Sequence, residues 1–399
     1  MGTKGNLAIG QSGGPTCVIN SSLAGVIQEA MGHDEIGEIL GMHRGIRGLL
    51  ADQFYDLRRQ PLGVVEGLRH TPGAALGTAR YKVKPTDYER ILDVIRSRNI
   101  RYVHYIGGND SADTSLRLHK MAAEAGYELH VIAVPKTVDN DLAVTDHCPG
   151  YPSAARFVAL GVRDSGRDTE SMAAESPIKL IEIMGRNAGW LTAAAALARE
   201  EPGDPPHLVY VPEYPVAIER LLTDIQRCYD EYGYAVIAVS EGAEEAPGKA
   251  MGEAYAPADV DAFGHRRKGG VTEFLSAVIS DKLGFQARVD KPNYLQRSFM
   301  LAASPLDLDE AYRVGQQAVK EALAGRDQGL ITLVRDPGPE YHCSLGLADL
   351  EDVANHEHKL PREYMNAEGN YPTEAFLAYA RPLLGVDFTP YVRLAKAFA

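Results

Sequence analysis

Little in this chain would staple or anchor it. Its 399 residues hold four cysteines, Cys17, Cys148, Cys228 and Cys343, far apart and without a CxxC pair, which argues against a disulfide framework or a zinc module. No run of about 18 apolar residues occurs. Met1-Gly-Thr-Lys-Gly-Asn6 leads directly into Leu7-Ala-Ile9, without the apolar stretch of a signal peptide. A soluble, cytoplasmic protein is expected, with no membrane partner. Basic residues are in deficit: 41 Lys and Arg against 54 Asp and Glu give a formal charge of -13. Such a balance argues against a nucleic-acid partner, whose phosphates draw clustered cations. An anionic substrate must then be held by a local basic site. Internal repeats, low-complexity tracts, coiled-coil heptads and a GxxxxGK[ST] nucleotide loop are also missing.

What is present is alternation. Short apolar runs, Leu7 to Ile9, Tyr102 to Ile106, His130 to Val134, Lys179 to Ile183 and Ala235 to Val239, read as strands. They alternate with segments of helical period, the pattern of βαβ units around a parallel sheet. The length suits two α/β domains. Tyr151 to Thr169 reads as a helical crossover into the second unit. The expected division is a domain over 1–150, a second over 151–294, and a segment from about 295 to 399 that partly rejoins the first. Glu201-Pro-Gly-Asp-Pro-Pro206 and Glu244 to Asp261 read as surface loops. Asn355 to Ala399 has no clear pattern.

Each strand is followed by a polar or glycine-rich turn, and in open α/β sheets ligands bind outside the carboxyl ends of strands. Ser12-Gly13-Gly14-Pro15 precedes a helix over Val18 to Ile27, whose N-terminus suits an anion, although such a turn is commonly only a turn. In Gly107-Gly-Asn-Asp-Ser111, Asn109 or Asp110 would cap the helix Ala112 to Met121. The sharpest turn is Pro135-Lys-Thr-Val-Asp-Asn-Asp141. It sets a cation, a hydroxyl and two carboxylates within seven residues. Phosphoryl transfer needs these types: cations for phosphate oxygens, carboxylates for magnesium, and one carboxylate to take the proton of the attacking hydroxyl.

Gly107-Gly-Asn-Asp-Ser111, Pro135-Lys-Thr-Val-Asp-Asn-Asp141 and Met184-Gly-Arg186 together resemble the phosphofructokinase family, as do Gly77-Thr-Ala-Arg80, Ser240-Glu-Gly242 and Tyr294-Leu-Gln-Arg297, all in family order. The likeness runs from about residue 5 to about 300. It implies the two Rossmann-like α/β domains of that fold and phosphorylation of fructose 6-phosphate on its 1-hydroxyl with Mg2+. By resemblance Asp139 is the general base, and Thr137 and Val138 contact the sugar. Asp141 and Asn109 hold the metal-bound phosphates, though many relatives have Asp where Asn109 stands. Met184, Gly185 and Arg186 cradle the sugar, Glu241 binds a hydroxyl, and Tyr294 and Arg297 grip the 6-phosphate. Arg288 corresponds to an arginine that reaches a neighbouring subunit's substrate, implying a homodimer or homotetramer.

The resemblance also bears on the donor. ATP-using relatives have glycine at the positions of Asp110 and Lys136, whereas pyrophosphate-using relatives have Asp and Lys. A carboxylate at 110 would repel a nucleotide's α-phosphate, while Lys136 supplies charge to the smaller pyrophosphate. Gly14 and Arg80 face the donor by the same analogy. An arginine that many ATP-using members place seven residues before Met184 is replaced by Pro177, with Lys179 nearby.

Other features are given blander readings. His356-Glu-His358 reads as solvated surface, Trp190 as core, and His265-Arg-Arg-Lys-Gly-Gly270 as a basic loop facing water or an anionic substrate. Two alternatives to a pyrophosphate-dependent enzyme stand: an ATP-dependent one that tolerates Asp110, and a non-catalytic subunit that binds sugar phosphate. Asp139 is superfluous to the second.

Overall fold

The structure is a computed structural model that describes residues 3–79, 81–253, 270–338 and 340–394. Its strands, in chain order, are β1 (Gly5–Gln11), β2 (Ile36–Met42), β3 (Phe54–Asp56), β4 (Ile100–Gly107) and β5 (His130–Pro135). There follow β6 (Ile178–Ile183), β7 (Leu208–Tyr210), β8 (Ala235–Ser240), β9 (Glu244–Ala246), β10 (Lys249–Ala250) and β11 (Ala287–Asp290). Two more, β12 (Gln328–Arg335) and β13 (Cys343–Ala348), close the series. All five apolar runs expected as strands lie inside β1, β4, β5, β6 and β8.

Seven strands form one sheet in the order β13-β12-β5-β4-β1-β2-β3. Its interior pairs are parallel, and the outermost pair on each side is antiparallel. A second sheet, β11-β6-β8-β7, is parallel throughout. β5, β6 and β8 are buried along their whole length. For β5 and β8 that follows from sequences apolar but for their ends, since a parallel strand covered on both faces has no side to give to water. β6 also buries two charges, Lys179 and Glu182, which are paired with Asp290 and Lys291. Helix Tyr151–Ser171 follows β5 and leads to β6, as the helical period over Tyr151 to Thr169 predicts.

The chain beyond β11 is no appendage. Helix Pro305–Leu323 packs on helix Ile19–Met31, and β12 and β13 join the large sheet. Leu360, Met365, Phe376, Tyr379, Leu383 and Leu384 are buried in the same core as Tyr151 and Trp190. Each Leu or Phe so buried is worth about 1.5–3 kcal/mol.

The structure alters several local expectations. Glu244 to Asp261 is not simply loop, because β9 and β10 pair as an antiparallel hairpin; residues 254–261 lie outside the described residues. Asp204, Pro205 and Pro206 are buried rather than at the surface, with Pro205 against Gly166. Neither Asn109 nor Asp110 caps a helix. The helix begins at Asn109 with Gly108 in the capping position, so both polar residues sit in the first turn. Among the described residues no helix is long and apolar enough to cross a membrane.

Candidate active site

The turns that leave β1, β4, β5, β6 and β8 converge, because backbone hydrogen bonds bind neighbouring strands at their carboxyl ends. Ser12 N–H donates to Ile106 O at 2.9 Å, and Lys136 N–H to Gly107 O at 3.0 Å. In the second sheet Glu241 N–H donates to Ile183 O at 2.8 Å. Turns of the same sheet are thereby held side by side, and across the two sheets Asp139 lies near enough to Glu241 and Arg186 to feel their charge.

Lys136 is the centre of the first group. Its Nζ donates to Gly14 O at 2.9 Å, and the residue is only 4% exposed. Gly13, at φ 72°, is close enough that a Cβ there would lie 3.3 Å from the same Nζ. A Cβ on Gly14 would stand 2.3 Å from an Arg297 guanidinium nitrogen, so the turn admits two cations only because it carries no side chains. Burial, then the repulsion of Arg297, pushes the Lys136 amine down from 10.5 to about 8, against the pull of Asp139 and Asp141. A buried cation held this way is poised for an anion. Asp110 is exposed in the first turn of helix Asn109–Glu124.

Asp139 is the centre of the second group. Its own N–H donates to Thr137 Oγ1 at 3.1 Å. Burial, seconded by Asp141 and Glu241, lifts its carboxyl from 3.8 to about 7, although Arg186 and Lys136 act in the opposite sense. The carboxylate is thus surrounded by residues of both sheets and tuned to neutrality, where a general base works best. Val138, between them, turns its side chain into the core with Tyr151 and Ile183, so only its backbone faces a ligand.

Asn140, which no chemical expectation singled out, secures this loop. It takes the left-handed φ of 55° and is 1% exposed. Its Nδ2 donates to the Tyr379 hydroxyl at 2.9 Å, and its Oδ1 accepts from Cys148 N–H at 2.9 Å. Tyr379 comes from the patternless tail, so no local signal could have revealed the pairing.

The Met184-Gly185-Arg186 turn is held from three sides. Gln296 Oε1 accepts from Met184 N–H at 3.1 Å, Glu241 Oε1 accepts from Gly185 N–H at 3.4 Å, and Ser240 Oγ donates to Gly185 O at 2.6 Å. Gly185 has φ 127°, which side-chain-bearing residues rarely adopt. Tyr294 is 56% exposed, with the Arg297 guanidinium 4.5 Å from its ring centroid. Arg297 lies at the border of the Gly14 turn and the sugar-side motifs.

Two expected residues stand apart. Arg288 pairs with Lys179 in the β11–β6 register, five residues before Met184, and forms an ion pair with Asp168 at 3.0 Å. Lys179 is committed to Asp290 at 3.0 Å and does not take the place of the missing arginine in this cleft. Arg80 and residues 265–269 of the basic loop lie outside the described residues.

Among the described residues no group of three or more His, Cys, Asp or Glu is arranged to hold a metal. Asp141 and Asn109 nevertheless suit a cation that keeps its waters. Burial raises the Asp141 carboxyl, and its Oδ1 is buried without a hydrogen-bond partner. With its amide turned so that the nitrogen donates to Val353 O and His356 O at 3.2 Å, the orientation its neighbours favour, Asn109 presents its oxygen beside the Asp141 carbonyl. The solvated reading of His356-Glu-His358 needs correcting in part. His358 N–H donates to Asp141 O at 2.9 Å, its carbonyl accepts from Trp190 Nε1 at 2.9 Å, and Trp190 is core at 1% exposed.

The phosphofructokinase family model matches residues 6–322. This chain belongs to the phosphofructokinase family. It is 40% identical over 394 residues to a pyrophosphate–fructose 6-phosphate 1-phosphotransferase of Halomonas elongata, covering 97% of this chain and 93% of that one. The Xanthomonas campestris protein of that name is 40% identical, with 96% and 92% covered. The crystal structure of a pyrophosphate-dependent phosphofructokinase from Marinobacter aquaeolei superposes with a TM-score of 0.86 at 37% identity, covering 97% and 94%. The α/β architecture is thus the phosphofructokinase fold.

Proposed function

We propose that this phosphofructokinase moves a phosphoryl group from pyrophosphate to the 1-hydroxyl of fructose 6-phosphate, giving fructose 1,6-bisphosphate and orthophosphate. The reaction is reversible, since the bond broken and the bond made are close in free energy. The observation that carries the reading is the buried Lys136 amine bonded to Gly14 O, in the same loop as the base Asp139.

Pyrophosphate occupies the Gly14 turn, with Lys136 and Arg80 on its oxygens and Asp110 closing the space a nucleotide would need. Fructose 6-phosphate lies on Met184, Gly185 and Arg186, with Glu241 on a hydroxyl and Tyr294 and Arg297 at its phosphate. Thr137 and the Val138 backbone border the 1-hydroxyl. Asp139 takes the hydroxyl proton as the oxygen attacks phosphorus, and the phosphorus–bridging oxygen bond breaks to release phosphate. Lys136 and Arg297 offset the charge moving onto that leaving group. Asn109 and Asp141 would hold Mg2+, which neutralises phosphate oxygens when bound and needs only one or two protein carboxylates besides water and phosphate. Arg288, outside the cleft of its own chain, suits a neighbouring subunit's substrate in a homodimer or homotetramer, in the cytoplasm.

The test is a donor comparison with fructose 6-phosphate and Mg2+. Turnover with pyrophosphate in both directions and at least about a hundredfold less with ATP is expected, the margin that about 3 kcal/mol of charge repulsion provides. Turnover with ATP alone overturns the reading.

A further inference from the structure

Gln296 stands between two residues assigned to the sugar phosphate, Tyr294 and Arg297, yet faces away from solvent at 2% exposure. Its two amide ends are both used: Oε1 accepts from Met184 N–H at 3.1 Å and Nε2 donates to Asn293 O at 3.2 Å. The need for such a link lies in the sheet. β11 pairs with β6 only as far as Ile181, so Met184 N–H lies beyond the last rung and has no strand to receive it on that side. A buried N–H without a partner is costly, and the Gln296 side chain replaces the missing strand. Packing does not fix this side chain by itself, for a cavity of about 60 Å³ adjoins it, lined by Phe157, Ile183 and Pro292 among others.

We propose that Gln296 is a positioning residue for the acceptor: its amide joins the Met184-Gly185-Arg186 cradle to the Tyr294 to Arg297 phosphate grip, so that both close on one sugar phosphate as a unit. This rests on the function proposed above. Neither hydrogen bond of the Gln296 amide reaches the donor turn, which of the linked residues only Arg297 borders, so the sugar side should feel its loss first, and that separates it from a general structural role.

Gln296→Met keeps the length and removes both hydrogen bonds, while Gln296→Glu keeps the acceptor for Met184. Steady-state kinetics of both variants and the wild type, with thermal melts, test the idea. Gln296→Met is expected to raise KM for fructose 6-phosphate about tenfold, the effect of about one lost hydrogen bond, with a clearly smaller rise in KM for pyrophosphate. Gln296→Glu is expected to recover most of that loss. An unchanged sugar KM in Gln296→Met overturns the inference, and so does an equal rise for both substrates with a lowered melting temperature. Where a variant is too unstable for melts, hydrogen exchange at Met184 decides: unchanged protection there overturns the link. If the wild type does not turn over pyrophosphate, the proposed function fails instead, and sugar phosphate binding by calorimetry still tests Gln296.

Discussion

Replacing Lys136 with methionine keeps a stem of similar length and deletes one buried cation. In the native protein the amine is bonded to Gly14 O at 2.9 Å and shares the turn with Arg297. A hydrogen bond from a charged donor contributes about 1.5–3 kcal/mol, and two unit charges 4 Å apart near a surface interact by about 4 kcal/mol. Taking about 3 kcal/mol as the loss, kcat/KM for pyrophosphate should fall about a hundredfold, at about 1.4 kcal/mol per factor of ten. Stability should move differently. Because burial and Arg297 hold the amine at about 8 in the folded chain against 10.5, its charge opposes folding below pH 8, and that cost is relieved as pH rises from 8 to 10.5. At pH 7 the variant should therefore melt no lower than the wild type, offset only by the donor that Gly14 O loses. Pyrophosphate-dependent kinetics and thermal melts at pH 7 check both halves. A kcat/KM within about threefold of wild type, or a loss of activity matched by a collapse in melting temperature, refutes the reasoning.

Further outcomes are expected at three residues. Asp110→Gly should raise the ratio of ATP to pyrophosphate turnover at least about fivefold, since removing one exposed like charge near a phosphate is worth about 1–4 kcal/mol; a donor assay showing no gain removes Asp110 from donor choice. Asp139→Asn should lower kcat about 10²- to 10⁴-fold. In the wild type kcat/KM for fructose 6-phosphate should fall below pH 7, where Asp139 takes a proton, and a rate flat from pH 5 to 8 contradicts its role. His147 bridges Asp146 at 2.8 Å and Glu310 at 2.7 Å. Burial works against its charge, but the two carboxylates outweigh it and raise the ring from 6.5 to about 9. Its stabilisation is complete below pH 6.5 and lost as pH rises through 9. His147→Leu, which leaves buried Glu310 without a cationic partner while Asp146 keeps Arg335, should cost about 3–5 kcal/mol by urea denaturation, and a smaller loss at pH 6 than at pH 9 contradicts the bridge.

Strands β2, β7, β11, β12 and β13 were not read in the sequence. Five others, β1, β4, β5, β6 and β8, and the turns that end them were legible, because a strand covered on both faces is mostly apolar and the turn after it carries glycine or a polar residue. So were the chemical types: Lys136, Asp139, Arg186 and Glu241 announce themselves by charge in short turns. The hairpin β9–β10 was not, since its few paired residues are Glu, Lys and two alanines, at least partly exposed and without an apolar run. Nor was the capping at Gly108, a residue with no side chain to mark it, just ahead of the polar pair.

By itself, then, the order of residues determined which segments become buried strands and which turns hold charge, since both depend on neighbours along the chain. Only the tertiary structure decided that Asn140 is locked by Tyr379, 239 residues away, that Gln296 reaches Met184, and that Arg297 shares a turn with Lys136. Those pairings bridge different elements, and a hydrogen bond across such a distance leaves no period or spacing to read. The perturbed acidity of Asp139 has the same origin: its loop supplies the carboxylate, and folding supplies the burial and the facing charges that tune it.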